Sequence, residues 1–271
     1  MSFPYVEYAP PRVWANDIET IWSLKTPPPV PHNLTEILPA DGRIELIFSF
    51  AGRSTRQAGA QPPQRYAGAF LMGSRAQGYQ LQHEGASHFI AVRFRPAGLA
   101  AFLPVPLAEL TDSIVDLRDL WGREIQFLHE QLYEAPLPNA LSMIQDFLQR
   151  HYAPPRHYTT IHHALRQIHQ RHGQLRMGPL ANDLNMSQKH LERLFQRYVG
   201  HTPKGYARIV RFQEVLQALT SRKAGDVAGL GHQLGYFDQA HLINDFKDFT
   251  GLTPGQYQAT KYSVVDAYYG T

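Results

Sequence analysis

Lys189, Glu192, Arg193 and Gln196 stand three and four positions apart, a spacing that sets them along one side of an α-helix. Their shared chemistry is the reading of nucleic-acid bases. Lys and Arg donate to the guanine edge, Gln pairs with adenine, and Glu accepts from the cytosine amino group. Leu191, Leu194, Phe195 and Tyr198 interleave at i, i+3, i+4 and i+7, an apolar stripe that predicts burial of the opposite side. Ser187 is placed to cap this helix, predicted over Ser187–Val199, and Gln188 and Arg197 extend the polar side. A second set follows further along the chain. Asp238 caps a helix predicted over Asp238–Phe249, and Leu242, Phe246 and Phe249 are its anchors. Gln239, Ala240, Ile243, Asn244 and Lys247 lie on its open side, where Gln239 or Asn244 can pair with adenine and Ile243 can touch a thymine methyl.

The two sets are copies of one element. His190–Tyr206 and His241–Tyr257 align at a distance of 51 positions and agree at His190/His241, Leu191/Leu242, Phe195/Phe246, Gly200/Gly251, Thr202/Thr253, Pro203/Pro254 and Tyr206/Tyr257. What is shared is apolar anchors and a Gly-x-Thr-Pro stop; most of what differs is polar and lies between them. Such internal repetition is the signature of one scaffold used twice. Each copy follows a short helix and a tight turn: Gly178–Asn185 before the first, with Leu180-Ala181, and Asp226–Leu234 before the second, with Leu230-Gly231. A small residue after the leading Leu lets two helices cross closely, the layout of a helix-turn-helix. Further helices are predicted at Ile161–His172, Pro203–Ser221 and Pro254–Lys261. Residues 173–223 carry nine Lys/Arg against three Asp/Glu, whereas 224–271 carry two against five. The first copy is therefore basic, which fits phosphate binding and fits a solvated face equally.

The residues Leu180-Ala181, Ser187-x-x-x-Leu191-x-Arg193-x-Phe195, Gly200-x-Thr202-Pro203, Gly235-Tyr236-Phe237-Asp238-Gln239, Phe246-Lys247 and Gly251-Leu252-Thr253-Pro254-x-x-Tyr257 resemble the double helix-turn-helix domain of AraC/XylS-type transcriptional regulators. The resemblance implies two subdomains joined by the Pro203–Ser221 helix, reading successive major-groove segments on one face of double-stranded DNA. Phe94-Arg95-Pro96-Ala97-Gly98, Leu107-x-Glu109-Leu110-Thr111-Asp112 and Asp119-Leu120-Trp121-Gly122 also resemble a β-rich amino-terminal domain of some such regulators. This chain has Asn244 where these regulators commonly carry Arg and Gly231 where they carry Ala, and Asp238, Asp245 and Asp248 make the second lobe acidic. Weak DNA binding by the second lobe is the expectation.

The rest of the chain must hold these heads. Arg43–Phe50 and His88–Arg95 alternate as strands between Pro/Gly connectors at Pro27–Pro29, Asp41-Gly42, Pro62-Pro63 and Gly85. A short helix is predicted at Ala97–Leu103, then longer ones at Arg123–Tyr133 and Pro138–His151. The expected fold is α+β: a β-rich, cupin- or jelly-roll-like domain with trailing helices over 1–152, a Pro-containing linker over 153–160 and an all-α domain over 161–262. Arg93 and Arg95 share a strand side and are candidates for holding an anionic effector. His83, Glu84 and His88 fit no defensible metal set, and no metal or other cofactor is expected. His162, His163, His169 and His172 are expected on a solvated or DNA-backbone face, and Trp14, Ile18, Ile21 and Trp22 in core or arm packing rather than ligand binding. With no cysteine there is no disulfide, thiolate metal site or cysteine nucleophile. No run of apolar residues is long enough to span a membrane, and the start MSFPYVEYAP lacks a secretory pattern, so a cytoplasmic, nucleoid-associated protein is expected. The leading reading is a non-enzymatic, sequence-specific regulator of transcription modulated by a small molecule, with RNA polymerase and a second copy of the chain as open partners. The alternatives are an interaction module that has lost most DNA affinity and an enzyme carrying a DNA-targeting domain.

Overall fold

Alternating apolar residues in the two longest strands set the architecture of the amino-terminal part. The structure, a computed structural model, describes residues 5–25, 34–58, 62–220 and 227–259. In β4 (Ile44–Gln57) and β7 (Tyr79–Phe94), Ile44, Leu46, Phe48, Ile90, Val92 and Phe94 face one core, while Ile47, Phe89 and Ala91 face another. Both sides of the sheet are thus covered. The strands around them are β1 (Tyr5–Tyr8), β2 (Ile18–Lys25), β3 (Leu34–Leu38), β5 (Gln64–Tyr66), β6 (Ala69–Met72) and β8 (Ile114–Asp116). Every pairing is antiparallel, in the order β1-β2-β7-β4-β6-β8, with β3 on β7 and β5 on β4. The first core is closed by α1 (Leu117–Glu134) and α2 (Leu137–His151) through Ile125, Leu128, Leu132, Ile144 and Phe147.

The sequence periods hold in some places and mislead in others. Trp14, Ile18 and Ile21 are buried in one core and Trp22 in the other, although their helical spacing belongs to a 3₁₀ turn followed by strand β2. The helix expected at Ala97–Leu103 is only a 3₁₀ turn at Gly98–Ala101. Helix α1 begins at Leu117, ahead of Gly122, and is broken there by non-helical backbone (φ 60°, ψ −139°). The connector Pro27–Pro29 lies outside the described residues.

The carboxy-terminal part is helical: α3 (Tyr158–Gln170), α4 (Met177–Asp183), α5 (Gln188–Tyr198), α6 (Pro203–Thr220), α7 (Val227–Gln233), α8 (Gln239–Thr250) and α9 (Pro254–Ala259). Ser221, Asp226 and Lys261, which the predicted bounds include, fall outside the described residues. Helix α6 is shared by two cores. Tyr206, Ala207 and Val210 pack with α3, α4 and α5, whereas Ile209, Phe212, Val215 and Leu216 pack with Leu242, Phe246 and Phe249 of α8. No helix among the described residues is long and apolar enough to cross a membrane.

The β domain is docked onto both helical cores. Ile37 and Ala40 are buried in the core of the second lobe, and Ala97 in that of the first. The Thr111 hydroxyl donates to the Gly200 carbonyl at 2.8 Å, and Ser74 Oγ meets His201 Nε2 at 2.5 Å. At the other lobe the Ala40 amide donates to the Phe249 carbonyl at 3.1 Å, and the Gln213 side-chain amide donates to the Ala40 carbonyl. Gly78 lies so close that a Cβ there would sit 2.5 Å from the Phe249 carbonyl oxygen. A further contact is a hydrogen-bonded carboxyl. Asp17, fully buried, accepts from the Tyr158 hydroxyl at 2.7 Å and from Tyr152 at 3.5 Å, with His162 Nε2 at 3.8 Å.

Burial raises the Asp17 carboxyl to about 6, against the opposing pull of the two tyrosine hydroxyls. An acid whose pKa is raised by folding favours the folded state when protonated, so its contribution declines as pH rises from about 4 to 6 and is flat above. Asp17→Asn is therefore expected to stabilise the protein by up to ~2 kcal/mol at pH 7.5 and by little at pH 4. Urea melts at the two pH values test this. A difference between the two proteins that is equal at both, or larger in acid, would refute the assignment.

Candidate nucleic-acid interface

The two reading elements are built on the same local rules. In the first, α4 is followed by Asn185 at φ 52°, and the Met186 amide turns back to the Ala181 carbonyl at 3.0 Å. In the second, Gly235 holds φ 78°, and the Tyr236 amide bonds to the Gly231 carbonyl at 2.9 Å. Asn and Gly are the residue types that adopt this left-handed conformation at least cost. The helices are then launched by matching caps. Ser187 Oγ accepts from the His190 amide at 3.2 Å, and Asp238 Oδ1 accepts from the His241 amide at 2.7 Å. A Cβ on Gly231 would lie 2.7 Å from Leu242 Cδ1, the movable end of a side chain, so α7 and α8 cross closely here but an alanine could be taken by a shift of Leu242.

The exposed side of α5 carries Gln188, Lys189, Glu192, Arg193, Gln196 and Arg197. Leu191, Leu194 and Phe195 are buried, and Tyr198, expected in the core, is half-buried at its edge. Arg193 Nη2 lies 2.9 Å from His190 Nδ1, so the repeat's shared histidine steers the arginine. Burial and polarity on α8 follow the same plan: Gln239, Ala240, Asn244 and Lys247 are exposed, and Ile243 is half-buried. The structure thus brings the residues of each set onto one face. Ser187 and Asp238 are at its edge with their acceptors used in capping.

The acidity of the second lobe is mostly spent internally. Asp245 is buried and accepts from Arg208 Nη2 of α6 at 2.6 Å, and Asp248 accepts from the same nitrogen at 3.2 Å. Both carboxylates raise the Arg208 pKa, Asp245 most strongly. With Asp238 capping, the negative charge read in the sequence is balanced by the linker helix and the α8 amides. The exposed faces still differ in cations: Lys189, Arg193 and Arg197 on α5 against Lys247 on α8.

Phe237 is a residue that the sequence reading passed over. The turns correspond at an offset of 50, as Asn185/Gly235 and Met186/Tyr236 show, but the caps Ser187/Asp238 and everything after correspond at 51. The second turn is one residue longer, and the extra residue is Phe237, whose side chain is 84% exposed directly before the cap. The signal was this change of offset within the repeat.

The two effector candidates part company. Arg93 points into the sheet's interior, where its Nε donates to Glu45 at 2.7 Å, and Trp22 Nε1 reaches the same oxygen at 3.1 Å. Arg95 lies beyond the end of β7, donates from Nε to the Ala15 carbonyl at 3.0 Å and lines a cleft against α3 and α6. His83 sits between Ser54 (3.0 Å) and Glu36 (3.5 Å), and His88 packs edge-on against Phe50. Of the α3 histidines, His163 is exposed, His172 meets Glu214 at 2.9 Å and His169 is exposed at the mouth of the same cleft, whereas His162 is half-buried against the β domain rather than on a solvated surface.

Residues 180–260 match the family model of a helix-turn-helix domain, and residues 6–116 match a domain of unknown function (DUF6597). No curated protein matches the sequence. Among solved structures, ToxT from Vibrio cholerae O395 is similar at 7% identity with a TM-score of 0.46, covering 88% of this chain and 95% of that one. Unsaturated fatty acid-bound ToxT from Vibrio cholerae strain SCE256 is similar at 8% identity and a TM-score of 0.44, with 83% and 94% covered. The AraC-like transcriptional activator CuxR is similar at 18% identity and a TM-score of 0.35, with 86% and 85% covered.

Arg208 ties the second reading helix to α6. Removing it leaves Asp245, 5% exposed, as a buried carboxylate with, among the described residues, only His241 Nε2 nearby, at 3.9 Å. Breaking such a pair costs roughly 3–5 kcal/mol when both partners are buried; with Arg208 38% exposed, about 2 kcal/mol is expected for Arg208→Ala. Arg208→Ala/Asp245→Asn should recover a good part of it in urea denaturation, and no recovery would show that Arg208 acts by packing alone.

Proposed function

We propose that this chain, whose residues 180–260 are a helix-turn-helix domain of the AraC type, is a transcription regulator that reads two successive major-groove segments of double-stranded DNA with α5 and α8. The observation that carries this reading is the duplicated construction: two left-handed turns, two side-chain caps and two exposed polar faces on helices anchored by equivalent residues. The first turn of a recognition helix is the part that reaches base edges. Here it presents Gln188 and Lys189 in one head and Gln239 and Ala240 in the other, with Glu192, Arg193, Gln196, Ile243 and Asn244 one turn on. Phe237 extends the second face as an apolar wedge suited to a thymine methyl or a sugar. Lys189, Arg193 and Arg197 give the first head most of the phosphate affinity.

The division we favour is a sensing domain over residues 1–152, a linker at 153–160 and the reading domain over 161–262. Exposed Phe127 and Tyr133 on α1 support a surface for a second copy there. The reading as an interaction module without DNA affinity drew on the acidity of the second lobe, and the internal pairing of Asp245 and Asp248 weakens it.

Retention of genomic fragments by the purified full-length protein, followed by sequencing, tests the reading. Two short elements about one helical turn apart are expected; no retention at low salt would reject it. On a retained site, Lys189→Ala or Arg193→Ala should cost about 1–3 kcal/mol of binding, and Asn244→Ala clearly less. The reverse ranking, by fluorescence anisotropy, would overturn the dominance of the first head. Phe237→Ala should weaken binding without changing its salt dependence, since an apolar contact releases no counterions.

A further inference from the structure

Among the described residues, the inside of the β sheet leaves little room for a ligand, and its charged groups pair with one another. Arg93 pairs with Glu45, Arg75 with Asp41, and His83 lies at 3.5 Å from Glu36. Arg56 stacks over Tyr79 at 4.5 Å. The space left among these groups is about 50 Å³, enough for a water or two. The roomy space lies elsewhere. A cleft of about 760 Å³ opens between the β domain and helices α3 and α6, within the usual range for small-molecule sites.

Ionic pairing decides what this cleft would take. Its carboxylates are already engaged: Glu19 with Arg43 at 2.6 Å, Asp41 with Arg75, and Glu214 with His172 at 2.9 Å. Asp17, beneath the α3 wall, accepts from Tyr158. Two lining cations remain, Arg95 and Arg166, and neither has a carboxylate partner among the described residues. One belongs to the β domain and the other to α3. The neighbouring histidines are held neutral mainly by burial, and the arginines of the cleft push the same way. His169, bonded to the Tyr206 hydroxyl at 2.8 Å, is held below its ordinary pKa by burial and then by Arg43, against an opposite pull from Glu214, with Arg95 adding the smallest push. His162 is lowered to about 4 by burial and then by Arg166.

We propose that this interdomain cleft binds a small organic dianion, one negative group on Arg95 and the other on Arg166, and that this is the effector site of the regulator. The guanidinium fork suits both carboxylate and phosphate, and an anion held from both walls fastens the β domain to α3 and to the helix that joins the two reading heads. The assignment of an effector role rests on the regulator reading; the binding itself does not.

Calorimetry on the full-length protein tests it, with succinate and ethane-1,2-bisphosphonate, each carrying two separate anionic groups, as probes and uncharged succinamide and ethylene glycol as controls. Saturable binding of at least one dianion at ~1 mM or tighter is expected, weakened about tenfold in Arg95→Gln and in Arg166→Gln, with none for the controls. Preference between the probes identifies the acid class. No binding of either dianion, or equal affinity in wild type and both variants, overturns the proposal. Should the variants not fold, the wild type suffices: bound dianion must raise the pKa of His162 and His169 in histidine-ring NMR titrations, and unchanged values overturn it. DNA retention run in parallel separates the two claims. DNA binding without dianion binding defeats the cleft alone, and dianion binding without DNA binding defeats the regulator reading.

Discussion

The contact on which the whole molecule depends is the seam between the β domain and the carboxy-terminal ends of both reading helices. A double helix-turn-helix can read two groove segments only if its heads hold a fixed spacing, and one helix, α6, joins them. The β domain adds a second, independent tie. It grips the turn after α5 through Thr111 and Ser74, the end of α8 through Ala40 and Gly78, and the middle of α6 through the Gln213–Ala40 bond. Burial of Ile37 in the second core is worth about 2 kcal/mol by area alone. Three points of contact on two heads and their connector make the β domain a gauge for the distance between them.

Electrostatics reinforces this division of labour. The acidic groups of this half find partners within the protein: Asp245, buried, and Asp248, exposed, on Arg208, Asp238 on the α8 amides, and Glu214 on His172. Charges that can meet phosphate stay outside on α5. The low net acidity of the second face is therefore a property of packing, because the linker helix supplies the counter-charge from 37 positions away in sequence.

That distance marks the limit of what residues alone reveal. The reading heads were legible because helix period, caps and stops are local: Ser187 and Asp238 cap where their positions require, and the apolar anchors are buried. The long strands were legible in part, since alternation in Ile44–Phe50 and Phe89–Phe94 marks two buried sides but not the bulges or the extension to Gln57 and Tyr79. Long-range pairing was not legible. Arg93 and Arg95 look equivalent on a strand, yet one is drawn inward by Glu45 and Trp22 while the other passes the strand's end. His162 reads as a surface residue until the β domain is laid against α3.

The position of the cleft then has a mechanical meaning. A ligand between the Arg95 wall and α3 touches neither reading helix, but it bears on α6 through Tyr206 and Gln213, and Tyr206 is itself buried in the first core. A ligand shifts an equilibrium only by its differential affinity for two arrangements. Here the docked arrangement supplies both walls, and an undocked one would leave each arginine on a separate surface. On the proposed reading, the same seam sets the spacing of the heads, so occupancy of the cleft would be coupled to the geometry offered to DNA.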